Sequence, residues 1–197
     1  MKTLKISLVA AAVIVTGLIS CGKEEVPPPP PPPSVSVTDS IEIPFSTSHY
    51  TFYSLKDSAI VNATDSATSQ WDFGILFVNI IINSHASGPG NGGVITKMGL
   101  FDTCTTAPLS GYSYDTTSTN LAIDAGLTTG WYNYDLNTHV FSPKAGEYFL
   151  IKTADGHYAK LEILSVDYAG YTPPNPTPDS LIYTFRYNYQ ADGSGNF

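Results

Sequence analysis

Leu181-Ile-Tyr-Thr-Phe-Arg-Tyr-Asn-Tyr-Gln190 decides the fold, because its side chains alternate with a period of two. Leu181, Tyr183, Phe185, Tyr187 and Tyr189 fall on one face, and Thr184, Arg186, Asn188 and Gln190 on the other, which is the pattern of a strand with one packed and one solvated side. Upstream, Glu147-Tyr-Phe-Leu-Ile-Lys-Thr153 and His157-Tyr-Ala-Lys-Leu-Glu-Ile163 flank Asp155-Gly156. Asp-Gly tolerates the positive φ of a tight turn, so the pair predicts a hairpin with Ala159, Leu161 and Ile163 toward the core and Lys160 and Glu162 outward. Residues 71–83 are apolar on both parities, from Ile75-Leu-Phe-Val78 through Ile80-Ile-Ile82, and predict a central strand covered on both faces. Gly74 or Asn79 would mark a bulge or bend in it. Ser87-Gly-Pro-Gly-Asn-Gly-Gly93 then reads as a turn or flexible loop leading into Val94-Ile-Thr-Lys-Met98. With no window of 3.6-residue apolar periodicity, the expectation is an all-β chain with a single antiparallel β domain.

The other end of the chain carries an address. Lys2 and Lys5 precede an apolar run, and Leu18-Ile-Ser-Cys21 closes it with a cysteine where a lipoprotein signal peptidase would cut. The run is too short to span a membrane, so residues 1–20 are expected to leave as a lipoprotein signal peptide, with Cys21 acylated as the first mature residue. Residues 21–40 then form the lipid anchor and a proline-rich linker, and residues 41–197 the β domain. Seven consecutive prolines, 27–33, favour a polyproline II spacer about 20 Å long at roughly 3.1 Å per residue. Tyr171-Thr-Pro-Pro-Asn-Pro-Thr-Pro178 is a second proline-rich loop.

Composition narrows the partners. Nine basic against 17 acidic residues give a net charge of −8, and loss of Lys2 and Lys5 makes the mature chain more negative still. That balance argues against nucleic acid and anionic lipid surfaces, which need clustered Lys and Arg. Cys104 is the one thiol left once Cys21 is acylated; beside Thr103 and Thr105 it reads as a small buried hydrophobe. No Gly-x-Ser-x-Gly is present, and His49, His85, His139 and His157 occur singly, without a zinc-site spacing. The glycine-rich loop precedes a strand rather than the helix that a phosphate cradle needs. These residues favour a binding module over an enzyme, with Asp72, Asp155 and the histidines the only groups left to converge in a catalytic cleft.

Trp71-Asp-Phe73, the glycine loop at 87–93, Gly111-Tyr112, Gly130-Trp-Tyr-Asn-Tyr134, Ala154-Asp-Gly-His-Tyr-Ala-Lys-Leu161 and Tyr183-Thr-Phe-Arg-Tyr187 follow one another in an order that resembles the HmuY family of haem-binding lipoproteins. The resemblance implies a hand-shaped all-β fold, a lipid anchor at the outer membrane with surface exposure, and capture of haem for an outer-membrane haem transporter. Lys23-Glu24-Glu25 likewise resembles the surface-export signal of such lipoproteins. In haem-binding members the axial ligands lie in the stretch before the Gly-Trp motif and in the short loop after it. Here residues 114–129 contain neither His nor Met, so the first position is unfilled, whereas His139 lies just beyond the second and is the axial candidate. Met98 is the other candidate donor, with core filling as its alternative. Trp131, Tyr132 and Tyr134 are candidate haem-cleft aromatics, and no metal is expected beyond haem iron. The competing expectation keeps the fold and anchor but replaces haem with another small ligand, a glycan or a protein partner.

Overall fold

Alternation at the C-terminal end of the chain does produce the packed strand it predicts. In a computed structural model that describes residues 34–171 and 177–197, the last strand pairs along its whole length with the first. The signal segment 1–20, Cys21, the Lys23-Glu24-Glu25 cluster, the prolines at 27–33 and most of the second proline-rich loop lie outside the described residues. In chain order the strands are β1 (Val35–Pro44), β2 (Thr51–Ser54), β3 (Ala59–Val61), β4 (Phe73–Leu76), β5 (Asn79–Ile82), β6 (Gly93–Met98), β7 (Tyr132–Asp135), β8 (Val140–Pro143), β9 (Glu147–Lys152), β10 (Tyr158–Ala169) and β11 (Ser180–Gln190). They form an antiparallel sheet ordered β1-β11-β10-β9-β6, a second ordered β3-β2-β4-β5, and the separate hairpin β7-β8. The all-β expectation holds. Val35 already pairs with Tyr189, so residues 35–40, assigned to the linker from sequence, belong to the larger sheet.

The two sheets pack through aromatic side chains. Tyr53 of β2 and Phe73 of β4 meet Phe185 of β11 edge-on, at centroid distances of 5.1 and 5.6 Å. Leu181, Tyr183, Phe185, Tyr187 and Tyr189 are all buried, as are Ala159, Leu161 and Ile163 on the neighbouring strand. Burying an aromatic of this size stabilises by roughly 1.5–3 kcal/mol, so this one strand contributes a large share of the core. The space enclosed by Phe73, Ile75, Phe149, Leu161 and Phe185 is about 10 Å³ and its walls are wholly apolar, so it offers an ordered water no polar partner. The seam between the sheets therefore closes on itself and leaves no chamber for a ligand.

Two details depart from the sequence pattern. Residues 71–83 do not make one long strand: β4 and β5 form a hairpin, joined at Phe77, whose φ of 52° is left-handed. Both strands are apolar because they belong to the inner sheet layers, and the reversal is bought by no glycine; Phe77 is held by edge-on contacts to Phe45 and Phe141 at 5.6 and 5.3 Å, and its carbonyl accepts from the Tyr183 hydroxyl. Lys160, expected outward, is buried. The outer face of β10 is covered by Phe101 and by Phe197, whose N–H donates to the Thr105 carbonyl at 2.8 Å. The Lys160 ammonium donates to the carbonyls of Phe101 and Cys104 at 3.1 and 2.7 Å and lies 4.5 Å from the Phe101 ring centre. Desolvation there lowers its pKa. Glu162 does face outward, 2.6 Å from Arg186 Nε.

The Asp155-Gly156 hairpin forms as expected, Gly156 taking a φ of 92° that its missing Cβ makes inexpensive. Among the described residues no helix is long and apolar enough to cross a membrane.

Candidate functional site

Beyond the sheets, the long connections between β5 and β7 are held by buried polar side chains rather than by apolar periodicity. Asp115 is fully buried, and its two carboxylate oxygens accept the Ile82 and Ala122 N–H groups at 2.8 and 2.7 Å. Asp72 does the same between Leu55 and Ala154, at 2.8 and 2.9 Å. Burial pushes the Asp72 carboxyl up to about 6, and the two N–H donors offset only part of that rise. Asn83 donates to the Thr68 and Trp71 carbonyls and accepts from Gly90 N–H at 2.8 Å. A Cβ on Gly88 would stand 2.2 Å from Asn83 Oδ1, so the glycines let this loop wrap closely around one amide. The loop is a built turn, with the N–H groups of Gly90, Asn91 and Gly92 committed to Asn83 and Ala154.

The Gly130-Trp131 motif leads into the β7–β8 hairpin. Trp131 and Tyr132 are buried: the indole N–H donates to the Val78 carbonyl at 2.9 Å, the Tyr132 hydroxyl to Ala125 at 3.1 Å, and both rings pack on Phe141. Of the three expected cleft aromatics, only Tyr134 is half-exposed. Its hydroxyl lies 2.8 Å from His139 Nδ1 across the turn. His139 is exposed and takes a φ of 59°, fixed by its own N–H donating to the Asp135 carbonyl at 2.8 Å. Asp135 Oδ1 accepts from Asn137 N–H at 2.7 Å, and the backbone donors of this turn hold its carboxyl below the usual range. Tyr171 reaches the tip from outside, donating to the Thr138 carbonyl.

The remaining candidates are scattered. Met98 does not fill the core: it is 67 % exposed at the end of β6, an edge strand, with only Glu147 opposite. His157 Nδ1 lies 2.9 Å from Asp155, His49 sits beside Ser48 and Thr47, and His85 meets the Tyr114 ring edge-on at 4.8 Å. Cys104 is half-buried against the Phe101 cluster. Asp72 and Asp155 do share one groove, with Ser54, Asp57 and Gln70, of about 250 Å³. Among the described residues no three acidic, histidine or cysteine side chains gather as a metal site. A larger groove of about 660 Å³ runs along residues 118–126 beside Asn79, in the stretch before Gly130-Trp131. Its lining includes Thr119, Asn120, Leu121 and Asp124 and offers no His, Met or Cys to iron. Sequence reading passed over Asp115, Asn83 and the Tyr134–His139 contact; only the last had a local signal, two ring residues facing each other across a four-residue turn.

The family model described as HmuY protein matches residues 46–177. Three solved structures are similar to the chain. A candidate HmuY-like heme binding protein from Bacteroides vulgatus ATCC 8482 shares 18 % identity at a TM-score of 0.48, covering 78 % of this chain and 92 % of that one. The apo HmuY analog of Tannerella forsythia shares 12 % identity at 0.51, covering 79 % and 98 %. A candidate lipoprotein from Bacteroides fragilis NCTC 9343 shares 13 % at 0.46, covering 75 % and 88 %. At such identity the Tannerella forsythia likeness speaks to fold alone. No curated protein matches the chain. The matched segment runs from the loop after β1, through the second sheet and the β7–β8 hairpin, to the loop before β11, and on that evidence the chain belongs to the HmuY family.

Proposed function

We propose that this protein is a lipid-anchored, surface-exposed binding protein that captures haem through one protein donor, His139, and passes it to an outer-membrane haem transporter. Family membership supports the ligand class. The observation that carries the residue assignment is the 2.8 Å contact between Tyr134 hydroxyl and His139 Nδ1. In the tautomer whose Nδ1–H donates to the Tyr134 oxygen, Nε2 keeps the lone pair that metal-binding histidines use, and we take that tautomer as the haem-binding one. Among the described residues Nε2 has no protein partner, and the exposed turn presents the ring to an incoming ligand. Tyr134 acts as the positioning residue and Tyr171 as apolar cover at the tip. Coordination from one side leaves the opposite axial position of the iron to a weak donor or to water. Binding rather than catalysis is the role, with Cys21 as the lipidation site and the prolines as spacer.

Haemin added to the full-length protein, purified in detergent, should give a stoichiometric red-shifted Soret band that His139→Ala removes and Tyr134→Phe weakens. A spectrum matching that of haemin with an inert protein would sink the reading. Labelled palmitate should enter the wild-type chain and fail to enter Cys21→Ala.

A second reading keeps the fold and anchor but drops haem. The absence of an iron donor from the 118–126 groove favours it, since that groove occupies the stretch where haem-binding members are expected to supply the first ligand. The same haemin titration separates the two.

A further inference from the structure

A second groove, away from the β7–β8 hairpin, has a chemistry unlike the rest of this acidic chain. It encloses about 270 Å³ between the turn at Ser84 and His85, the glycine loop at Gly90, Asn91 and Gly92, Tyr114, and Lys152 at the end of β9. No carboxylate lines it, whereas the two other polar grooves carry Asp124 in one case and Asp57, Asp72 and Asp155 in the other. Lys152, the Asn91 side chain, the Tyr114 hydroxyl and the His85 ring nitrogens have no hydrogen-bond or ion-pair partner among the described residues. In a chain with 17 acidic and nine basic residues, an unpaired lysine in a recess without a carboxylate makes that recess locally positive.

The walls of the pocket are fixed by the fold. Ser84 Oγ accepts from Asp115 N–H at 3.2 Å, Ala86 N–H donates to the Asp115 carbonyl at 3.1 Å, and His85 between them takes a left-handed φ of 41°. A left-handed non-glycine residue is uncommon, and here it brings the imidazole onto the Tyr114 ring, 4.8 Å between centroids. A Cβ on Gly93 would come 3.0 Å from Tyr114 Cε1, so glycine at that position is what lets the phenol lie across the start of β6. Lys152 is placed by its register opposite both Gly93 and Tyr158.

Three features choose the ligand. The N–H groups of Gly90, Asn91 and Gly92 are spent on Asn83 and Ala154, which removes the backbone donors that a phosphate dianion requires and leaves one fixed cation, suited to a carboxylate. The volume falls just below the roughly 300 Å³ of the smallest drug-sized sites, enough for one six-membered ring and too little for a porphyrin. The 38 % exposed Tyr114 ring supplies an apolar platform, while Asn91 and His85 supply the donors and acceptors that ring hydroxyls need. We propose that this groove binds a carboxylate-bearing monosaccharide, its carboxylate on Lys152 and its ring on Tyr114, as a site separate from the haem reading.

Saturation-transfer NMR on the full-length protein in detergent tests this with galacturonate, galactose and benzoate as probes. Galacturonate should show transfer, with galactose and benzoate at background. Lys152→Met, which keeps the apolar stem and removes the charge, should weaken galacturonate by about tenfold or more, as expected for a lost charge-assisted contact. His139→Ala should leave galacturonate binding unchanged, so failure of the haem reading and failure of this one are separable. Equal transfer to galactose, binding of benzoate, binding that survives Lys152→Met, or no transfer to galacturonate in a protein whose melting temperature is unaltered would each overturn the assignment.

Discussion

The seam between the two sheets and the connections at residues 83–130 are stabilised by opposite means. The seam is dry and aromatic, with Tyr53, Phe73 and Phe185 in edge-on contact and almost no free volume. The connections contain few regular elements and hang on two buried polar side chains, Asn83 and Asp115, while Asp72 plays the same part between the turn after β2 and the turn before β10. Packing of the first kind tolerates no ligand, whereas the second leaves grooves between its polar posts. The grooves of about 660 and 270 Å³ accordingly lie along the connections, while the sheets serve as the frame.

That contrast can be broken from either side. Phe185→Ala empties the centre of the seam and should cost about 3–5 kcal/mol, read as a lower urea midpoint for the whole molecule. Asp115→Ala strands two buried N–H donors and should cost about 2–4 kcal/mol. Its signature is local: amide exchange at Ile82 and Ala122 should accelerate more than exchange in β10 and β11, and a uniform acceleration would mean that the connections and the seam unfold as one.

Asp72 gives the pH arm of the comparison. Its folded-state pKa of about 6 lies above the unfolded value of 3.8, so the native state binds the proton more tightly, and stability rises as pH falls through 6 toward 4. From pH 7 to 5 the gain should be about 1 kcal/mol, and Glu147, also raised by burial, adds in the same direction. Asp155, Asp124 and Asp135 are lowered, so their contributions are present at neutral pH and vanish only as pH falls below the ordinary aspartate range. Asp72→Asn should flatten the rise between pH 7 and 5; a slope that persists in the variant would remove Asp72 as its source. The smallest stability effect belongs to Tyr134→Phe, which deletes one hydroxyl at a half-exposed site and should cost under about 1 kcal/mol by thermal melting. The haem reading nonetheless requires it to alter the Soret band.

Legibility from sequence divides along the same line. Strand β11 and the Asp155-Gly156 hairpin were readable because period-two alternation and turn chemistry are local signals. The β4–β5 reversal was not, since Phe77 in a left-handed conformation has no compositional marker and is held by contacts with Phe45 and Phe141. Lys160 misled for a related reason: its parity points outward, but segments remote in sequence on either side of it, the Phe101–Cys104 turn and Phe197, cover that face. Trp131 and Tyr132, quoted as cleft aromatics, went into the core because their N–H and O–H groups found the carbonyls of Val78 and Ala125. His139 stands out in sequence by its position after the Gly-Trp motif, whereas its contact with Tyr134 exists only because the hairpin brings the two rings together across the turn.

Strand β1 has a mechanical consequence. It is ten residues long, lies at the sheet edge, and pairs with β11 from Val35 to Pro44. Whatever holds the chain upstream of Val35 pulls first on this strand. A pull along the strand axis loads the ten cross-strand pairs in shear, all at once, whereas a sideways pull peels them singly from the Val35–Tyr189 end. The same edge strand thus gives the domain a strong direction and a weak one under tension.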